Sequence, residues 1–215
     1  MSARGRLITF EGGEGVGKST QISRLAAALS GAGLEAVTTR EPGGTEGAEA
    51  IRSLVTEGAA DRWSPLTETL LFLAARQDHV ERLIEPALAR GCFVLCDRFI
   101  DSTRVYQGLA GTLGLGLIDR LHGVIFEDIR PDLTVLLDLP VEAGLARRRA
   151  SGEVNRFDKM VSGFHEKVRR GFLGLAASEP ERIAVIDAAP APFEVTGAIL
   201  DLVAERFGLD LRGED

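Results

Sequence analysis

The sequence predicts an α/β protein, a five-stranded parallel sheet flanked by helices on both faces, and three observations carry that expectation. Short apolar, β-branched runs alternate with stretches of helical periodicity, the order that crossover helices impose on parallel strands. Each of these runs closes on polar or charged residues, at Glu11, Arg40, Asp97, Asp138 and Asp187. A glycine-rich turn joins the first run directly to a helical pattern, as expected at the carboxyl edge of such a sheet, where ligands bind.

The first strand spans Leu7 to Glu11, and the residues after it, Gly12 to Ser19, spell G-x-x-x-x-G-K-S. Glycines let the backbone wrap a polyphosphate with its N–H groups turned inward, and the following helix presents its positive end. Lys18 adds a mobile charge and Ser19 a hydroxyl for Mg²⁺. An ordinary glycine-rich turn is the plain alternative, but Lys-Ser at the fixed offset and the strand-to-helix setting disfavour it. The pattern is a P-loop, which predicts a P-loop NTPase fold. Gly12, Gly13, Glu14, Gly15, Val16, Gly17, Lys18, Ser19 and Thr20 are the candidate ATP-binding residues. Ile22, Leu25, Ala26 and Leu29 then recur at helical spacing until Gly31 and Gly33 end the run.

The second strand, Ala36 to Thr39, leads into Thr39-Arg40-Glu41-Pro42-Gly43-Gly44-Thr45, a turn stiffened by proline and freed by two glycines. It reads as a capped turn or as a second phosphate-binding element, the latter because Arg40 faces the same edge as the P-loop. Helices are expected over Thr45 to Thr56 and, unbroken, over Pro65 to Arg90. In the second of these Phe72 and Arg76 share a face, which suits a base that is stacked and hydrogen-bonded, although a Phe at that spacing also suits a core.

The third strand, Cys92 to Asp97, delivers an acid fit to hold Mg²⁺ or its waters, and Arg98 beside it is placed to bridge phosphates. Its two cysteines, Cys92 and Cys96, lie four residues apart in an extended chain, ~13 Å between Cα atoms, too far for a disulfide. A polar segment from Phe99 to Gly108 holds the only tyrosine, Tyr106. A helix over Ile118 to Phe126 and a strand over Leu133 to Asp138 follow. The next helix, Val141 to Ala150, ends in Arg147-Arg148-Arg149 and runs into a glycine-containing loop with Arg156. Three arginines often mark a solvated face; here they suit a mobile lid over about 147–158 that carries charge onto phosphates and excludes water. A helix over Asp158 to Ala177, a strand over Ile183 to Asp187 and a helix over Pro192 to Phe207 complete the pattern. His79, His122 and His165 lack ligand spacing and receive no chemical role.

A length of 215 residues without linker, repeat or low-complexity segment fits a single domain over 1–215. The formal net charge of −7 argues against nucleic-acid or anionic-membrane binding, which rests on a basic surface. The N-terminus enters the first strand without a signal-peptide core and no apolar run is long enough for a membrane span, so a cytoplasmic location is expected.

The chain resembles bacterial thymidylate kinases, of the nucleoside monophosphate kinase family, along nearly its whole length. The resemblance rests on ITFEGGEGVGKST at Ile8 to Thr20, TREPGGT at Thr39 to Thr45, LLFLAARQDH at Leu70 to His79, DRFIDSTRVYQG at Asp97 to Gly108, and the arginine-rich lid. It implies transfer of the γ-phosphoryl group of ATP to dTMP with Mg²⁺, giving dTDP for dTTP synthesis, by a homodimer. Carried onto matching positions, it implies that Glu14 meets the deoxyribose 3′-hydroxyl, Phe72 stacks on thymine and Arg76 donates to its carbonyl. Arg40, Pro42 and Arg98 would frame the phosphate, Ser102 and Gln107 the base pocket, and Tyr106 would crowd the 2′ position. Ser19 and Asp97 would hold the metal, Asp97 through water. The P-loop's variable positions are not basic, so the resemblance implies a lid-type enzyme in which Lys18, Arg98, Arg147, Arg149 and Arg156 serve catalysis. Rival readings are a kinase of another nucleoside or pyrimidine monophosphate, and a P-loop switch that hydrolyses nucleotide; the latter's N-K-x-D element is absent.

Overall fold

The computed structural model describes residues 4–59, 61–126, 129–150 and 162–211. Five strands, β1 (Arg6–Glu11), β2 (Ala36–Arg40), β3 (Phe93–Asp97), β4 (Leu133–Asp138) and β5 (Ile183–Asp187), form one sheet in the order β2-β3-β1-β4-β5. Every pairing is parallel. The chain starts in the middle, moves to one side for β2 and β3, then to the other for β4 and β5. That reversal leaves a crevice beyond the carboxyl end of β1, where the P-loop begins.

Alternation along the strands divides the core. Ile8, Phe10, Phe93 and Leu95 face α1 (Lys18–Gly31) and α9 (Pro192–Phe207), which contribute Ile22, Leu25, Leu29, Val195, Ile199 and Val203. Leu7, Val94 and Cys96 face the other way, onto Leu73 of α3 (Pro65–His79), Ile84, Leu88 and Phe99. β1 is buried on both faces from Leu7 onward, as a central parallel strand must be. Both cysteines are free and buried.

The helix expected over Pro65 to Arg90 is interrupted. α3 ends at His79, a π-helical turn covers Val80–Ile84, and α4 (Glu85–Ala89) completes the run. Pro86 lacks the N–H that a regular turn would need and its ring crowds the preceding turn, so the helix widens just before it. The polar segment after Arg98, which periodicity does not assign, folds as α5 (Ile100–Thr103) followed by a second π-helical turn, Arg104–Leu109. α2 (Glu46–Thr56) is capped by the Thr45 side chain, which accepts from the Ala48 N–H, and α3 by Ser64 with Pro65 in its first turn. α6 (Leu115–Ile125) starts ahead of the expected Ile118. α7 (Val141–Ala150) and α8 (Ser162–Ser178) flank residues 151–161, which lie outside those described and include Arg156 and most of the expected lid. Among the described residues no helix is long and apolar enough to cross a membrane.

The P-loop rests on α7 through two glycines in main-chain contact. A Cβ at Gly15 would fall 2.0 Å from the Gly144 carbonyl oxygen, and one at Gly144 would fall 2.4 Å from that of Glu14. Neither position leaves a flexible side chain to give way. Gly144→Ala should therefore destabilise the protein by about 1–3 kcal/mol, read as a lower urea midpoint at unchanged m value.

Candidate active site

A cleft of about 800 Å³ opens above the carboxyl edge of the sheet. Its floor is the P-loop from Glu14 to Ser19; Arg40, Glu41 and Pro42 after β2 form one wall, with Arg52 of α2 beside them. Phe72 and Arg76 of α3 line the far end, with Thr103, Tyr106 and Gln107. Asp97, Arg98 and Ser102 lie between, and Arg147 and Arg148 of α7 reach in from the lid side.

Gly12, Gly15 and Gly17 hold φ values of 132°, 71° and 94°, which residues with a Cβ rarely adopt, and these angles let the loop curl. Lys18 is buried and its ammonium donates to the carbonyls of Gly13 at 3.0 Å and Gly12 at 3.4 Å. Burial, and then the charge of Arg98, push its pKa down. A bound polyphosphate reverses that electrostatic balance.

Arg98 ties the third strand to the P-loop. Its Nη2 donates to Glu14 at 2.8 Å and its Nη1 to the Gly12 carbonyl at 3.2 Å and to Ser102 at 3.1 Å. The guanidinium lies 5.2 Å from the centre of the Tyr106 ring. Among the described residues Arg98 is the only non-glycine at positive φ, 69°, a conformation that costs ~1–2 kcal/mol and is held by its N–H bond to the Phe10 carbonyl. Burial works against the charge on Glu14, but Arg98, Lys18, Arg148 and His165 outweigh it and hold that carboxyl below its usual range.

Glu41 is buried between Arg76 and His79. Arg76 Nε donates to it at 2.7 Å and His79 Nδ1 at 3.2 Å, while His79 Nε2 meets the Thr39 hydroxyl at 2.7 Å. Since a carboxylate only accepts, Nδ1 carries a proton. Arg76 Nη2 donates to Thr103 at 3.1 Å, and Nη1 is buried with no hydrogen-bond partner among the described residues. Asp97 Oδ1 is likewise buried without a partner. Such atoms are costly unless something completes them.

The expected site residues divide by position. Glu14, Gly15, Val16, Gly17, Lys18, Ser19, Arg40, Pro42, Phe72, Arg76, Asp97, Arg98, Ser102, Tyr106, Gln107 and Arg147 line the cleft. Gly12 and Gly13 line a small cavity behind the P-loop. Thr20 and Arg149 are exposed and line neither, and Arg156 lies outside the described residues. Arg40 pairs with Glu49 at 3.1 Å in an exposed bridge, and Gln107 donates to Glu68 at 2.9 Å.

Arg52 and Thr103 receive no role from the sequence, and Arg148, Glu11 and Glu41, though noted in the lid, at the strand end and in the TREPGGT turn, are not among the expected site residues. Arg52 donates to the Pro42 carbonyl at 2.7 Å, and burial, then Arg40, lower its pKa. Thr103, in a helix that periodicity did not assign, accepts from Arg76 Nη2. Glu41 stood in plain view inside TREPGGT, and Glu11 at the end of an apolar strand; a lone acid in such a place is a signal.

A triphosphate seated on the P-loop would face, across an arginine-lined cleft, a second pocket with an aromatic ring and an unpaired guanidinium donor. That is the layout of an ATP-dependent nucleoside monophosphate kinase, in which one nucleotide phosphorylates another. Residues 10–199 match the family model described as thymidylate kinase, and the chain belongs to that family. It is 55% identical to the thymidylate kinase of Caulobacter vibrioides, over 96% of this chain and 99% of that one. With that of Bradyrhizobium diazoefficiens identity is 51%, over 95% and 91%. The crystal structure of thymidylate kinase from Ehrlichia chaffeensis superposes with a TM-score of 0.74 at 32% identity, covering 93% of this chain and 99% of that one.

Glu11 sits fully buried beneath this site, and burial, followed by the charge of Asp101, pushes its pKa from an ordinary 4.5 up to about 7. Arg98, Lys18, Tyr106 and Asp101 are the titratable and charged groups that share its field. Between those two pH values the folded state binds more protons than the unfolded, so this residue's contribution to stability falls as pH rises from about 4.5 to about 7. Glu11→Gln should flatten that part of the profile, as checked by melting temperature across pH.

Proposed function

We propose that the protein is a cytoplasmic kinase that transfers the γ-phosphoryl group of ATP to dTMP, giving ADP and dTDP. The observation that carries this reading is the cleft wall on which Phe72 stands with Arg76, a guanidinium whose buried Nη1 has no hydrogen-bond partner among the described residues. A thymine stacked on the Phe72 ring would offer a carbonyl oxygen to that donor, and the Glu41 and Thr103 bonds keep the guanidinium oriented for it. Glu14, held by Arg98 and by the Tyr106 hydroxyl at 3.4 Å, would accept from the sugar 3′-hydroxyl. Tyr106, packed against Phe164 and Phe172, would leave little room for a 2′-hydroxyl.

Phosphoryl transfer needs positioning and charge stabilisation more than covalent chemistry. Lys18 and the P-loop N–H groups would hold the donor phosphates. Arg98, with Arg40 and Arg52, would hold the acceptor phosphate, and its bonds to Gly12 and Glu14 fix the acceptor relative to the donor. Mg²⁺ fits the site: Ser19 lines the cleft and the buried Asp97 Oδ1 wants a partner. Among the described residues no group of three or more His, Cys, Asp or Glu side chains is arranged to hold a metal ion, so the ion would be held largely by nucleotide oxygens and water. When bound it neutralises charge between the β- and γ-phosphates.

The lid arginines would cover the transferring group. Arg147 is anchored on the Ala188 carbonyl at 2.9 Å and that of Ala189 at 3.3 Å, which sets α7 over the nucleotide edge of the cleft. Alanine at Arg147, Arg148, Arg149 or Arg156 should separate the roles. The residue that meets the transition state should lose roughly two to four powers of ten in kcat, whereas a positioning arginine should change KM.

ADP release from ATP with Mg²⁺ should be strong with dTMP and weak with thymidine, dUMP and UMP at equal concentration. Turnover with another acceptor, or with none, would refute the reading. Arg76→Met should lower kcat/KM for dTMP by about 10²-fold.

We also propose that the protein is a homodimer joined through α2, α3 and α6. Leu54, Leu66, Leu70, Val124 and Ile125 are exposed there, and Leu66 and Leu70 lie one helical turn apart. Sedimentation should give twice the monomer mass of 23.0 kDa, and Leu70→Glu should shift it toward the monomer.

A further inference from the structure

Glu11 does not itself line the cleft, yet its bonds run through Ser102 to Arg98, which does. It is the last residue of the central strand and is 0% exposed. Its Oε1 accepts from the backbone N–H of Phe99 at 2.8 Å and of Ser102 at 3.1 Å; its Oε2 accepts from the Ser102 hydroxyl at 2.6 Å. Above its pKa of about 7 the Glu11 carboxylate has no proton to give, so the hydroxyl proton points at Glu11 and the lone pairs of the same oxygen remain for Arg98 Nη1, 3.1 Å away. Arg98 in turn reaches Gly12 and Glu14.

We propose that Glu11 is a positioning residue that acts through Ser102 to aim the Arg98 guanidinium at the acceptor phosphate. The inference rests on the reading of the cleft as a dTMP site. Arg98 departs from a backbone at φ 69°, so its side-chain path is set by a tight turn. The same carboxylate closes that turn through Phe99 and Ser102 and dictates the polarity of the hydroxyl beside the head group. A buried acid serving only to cap α5 would need the first function and not the second. Glutamine would then replace it, because an amide oxygen accepts the two N–H bonds equally well. The difference lies at Oε2, where glutamine brings a donor to an oxygen that already receives one from Arg98.

The test is binding calorimetry of dTMP and thymidine to the full chain and to Glu11→Gln, Ser102→Ala and the double variant. Thymidine lacks the phosphate that Arg98 reads, so it reports any general damage to the pocket. Measured above pH ~7, where Glu11 is ionised, either single variant should weaken dTMP by about tenfold to hundredfold, and Glu11→Gln, which leaves every residue of the base pocket in place, should weaken thymidine by less than about twofold. The double variant should bind dTMP no more weakly than the worse single one, because both changes break one relay. Equal loss of both ligands in Glu11→Gln, unchanged dTMP binding in either single variant, or additive losses would overturn the proposal. A wild-type protein without preference for dTMP over thymidine would instead defeat the substrate reading, and the inference with it.

Discussion

The rest of the site depends on one constraint, the burial of opposite charges at the carboxyl edge of the sheet. Glu11, Glu14, Lys18, Asp97 and Arg98 converge where strands β1 and β3 end, in a space from which water is largely excluded. An uncompensated charge in such a place costs several kcal/mol or more, so each group is oriented by another. The short bond between Arg98 and Glu14 is the centre of this arrangement, because it binds the end of β3 to the P-loop and so relates the two halves of the cleft. A phosphate entering there meets donors that are already aligned, which is the economical way to stabilise charge in a transition state.

Behind the cleft lies a second charged layer that never reaches it. Asp101, 1% exposed, accepts from Arg182 at 2.6 and 2.9 Å and from Arg104 at 3.1 Å, and both arginines also meet Glu179. This network fastens α5 and the following π-helical turn to the loop before β5. It explains how two segments as short as α5 and that turn can present Ser102 and Thr103, and Tyr106 and Gln107, on a fixed surface. On the other side of the cleft, Asp138 at the end of β4 holds Arg169 of α8 through two parallel bonds of 2.7 and 2.8 Å. The stems on either side of residues 151–161 are thus tied to the sheet, α7 through Arg147 and the Gly144 contact, α8 through Arg169.

Much of the site was legible in the linear sequence because phosphate chemistry needs particular residues at fixed offsets. The P-loop, TREPGGT and DRFIDSTRVYQG each occupy a strand-to-helix turn, where spacing in sequence becomes spacing in space with little help from the rest of the fold. The less legible residues are those whose neighbours are distant in sequence. Arg52 reaches the cleft because α2 folds back over the Pro42 turn, and Thr103 meets Arg76 from a helix 27 positions further along the chain. The positions of Glu41 and Glu11 are visible in the sequence, but their partners, Arg76 and Ser102, come from elements distant in the chain.

Sequence alone determined the parallel sheet, the five strands, the position of the P-loop and the family, since alternating periodicities and local motifs are properties of short segments. It did not determine that Pro86 and the residues after Thr103 open π-helical turns. Nor did it determine which cations line the cleft, how Arg98 is held at positive φ, or which buried atoms remain unpaired. Those were decided by tertiary structure, because burial and charge compensation depend on which distant groups share a volume from which water is excluded, and no local pattern encodes that.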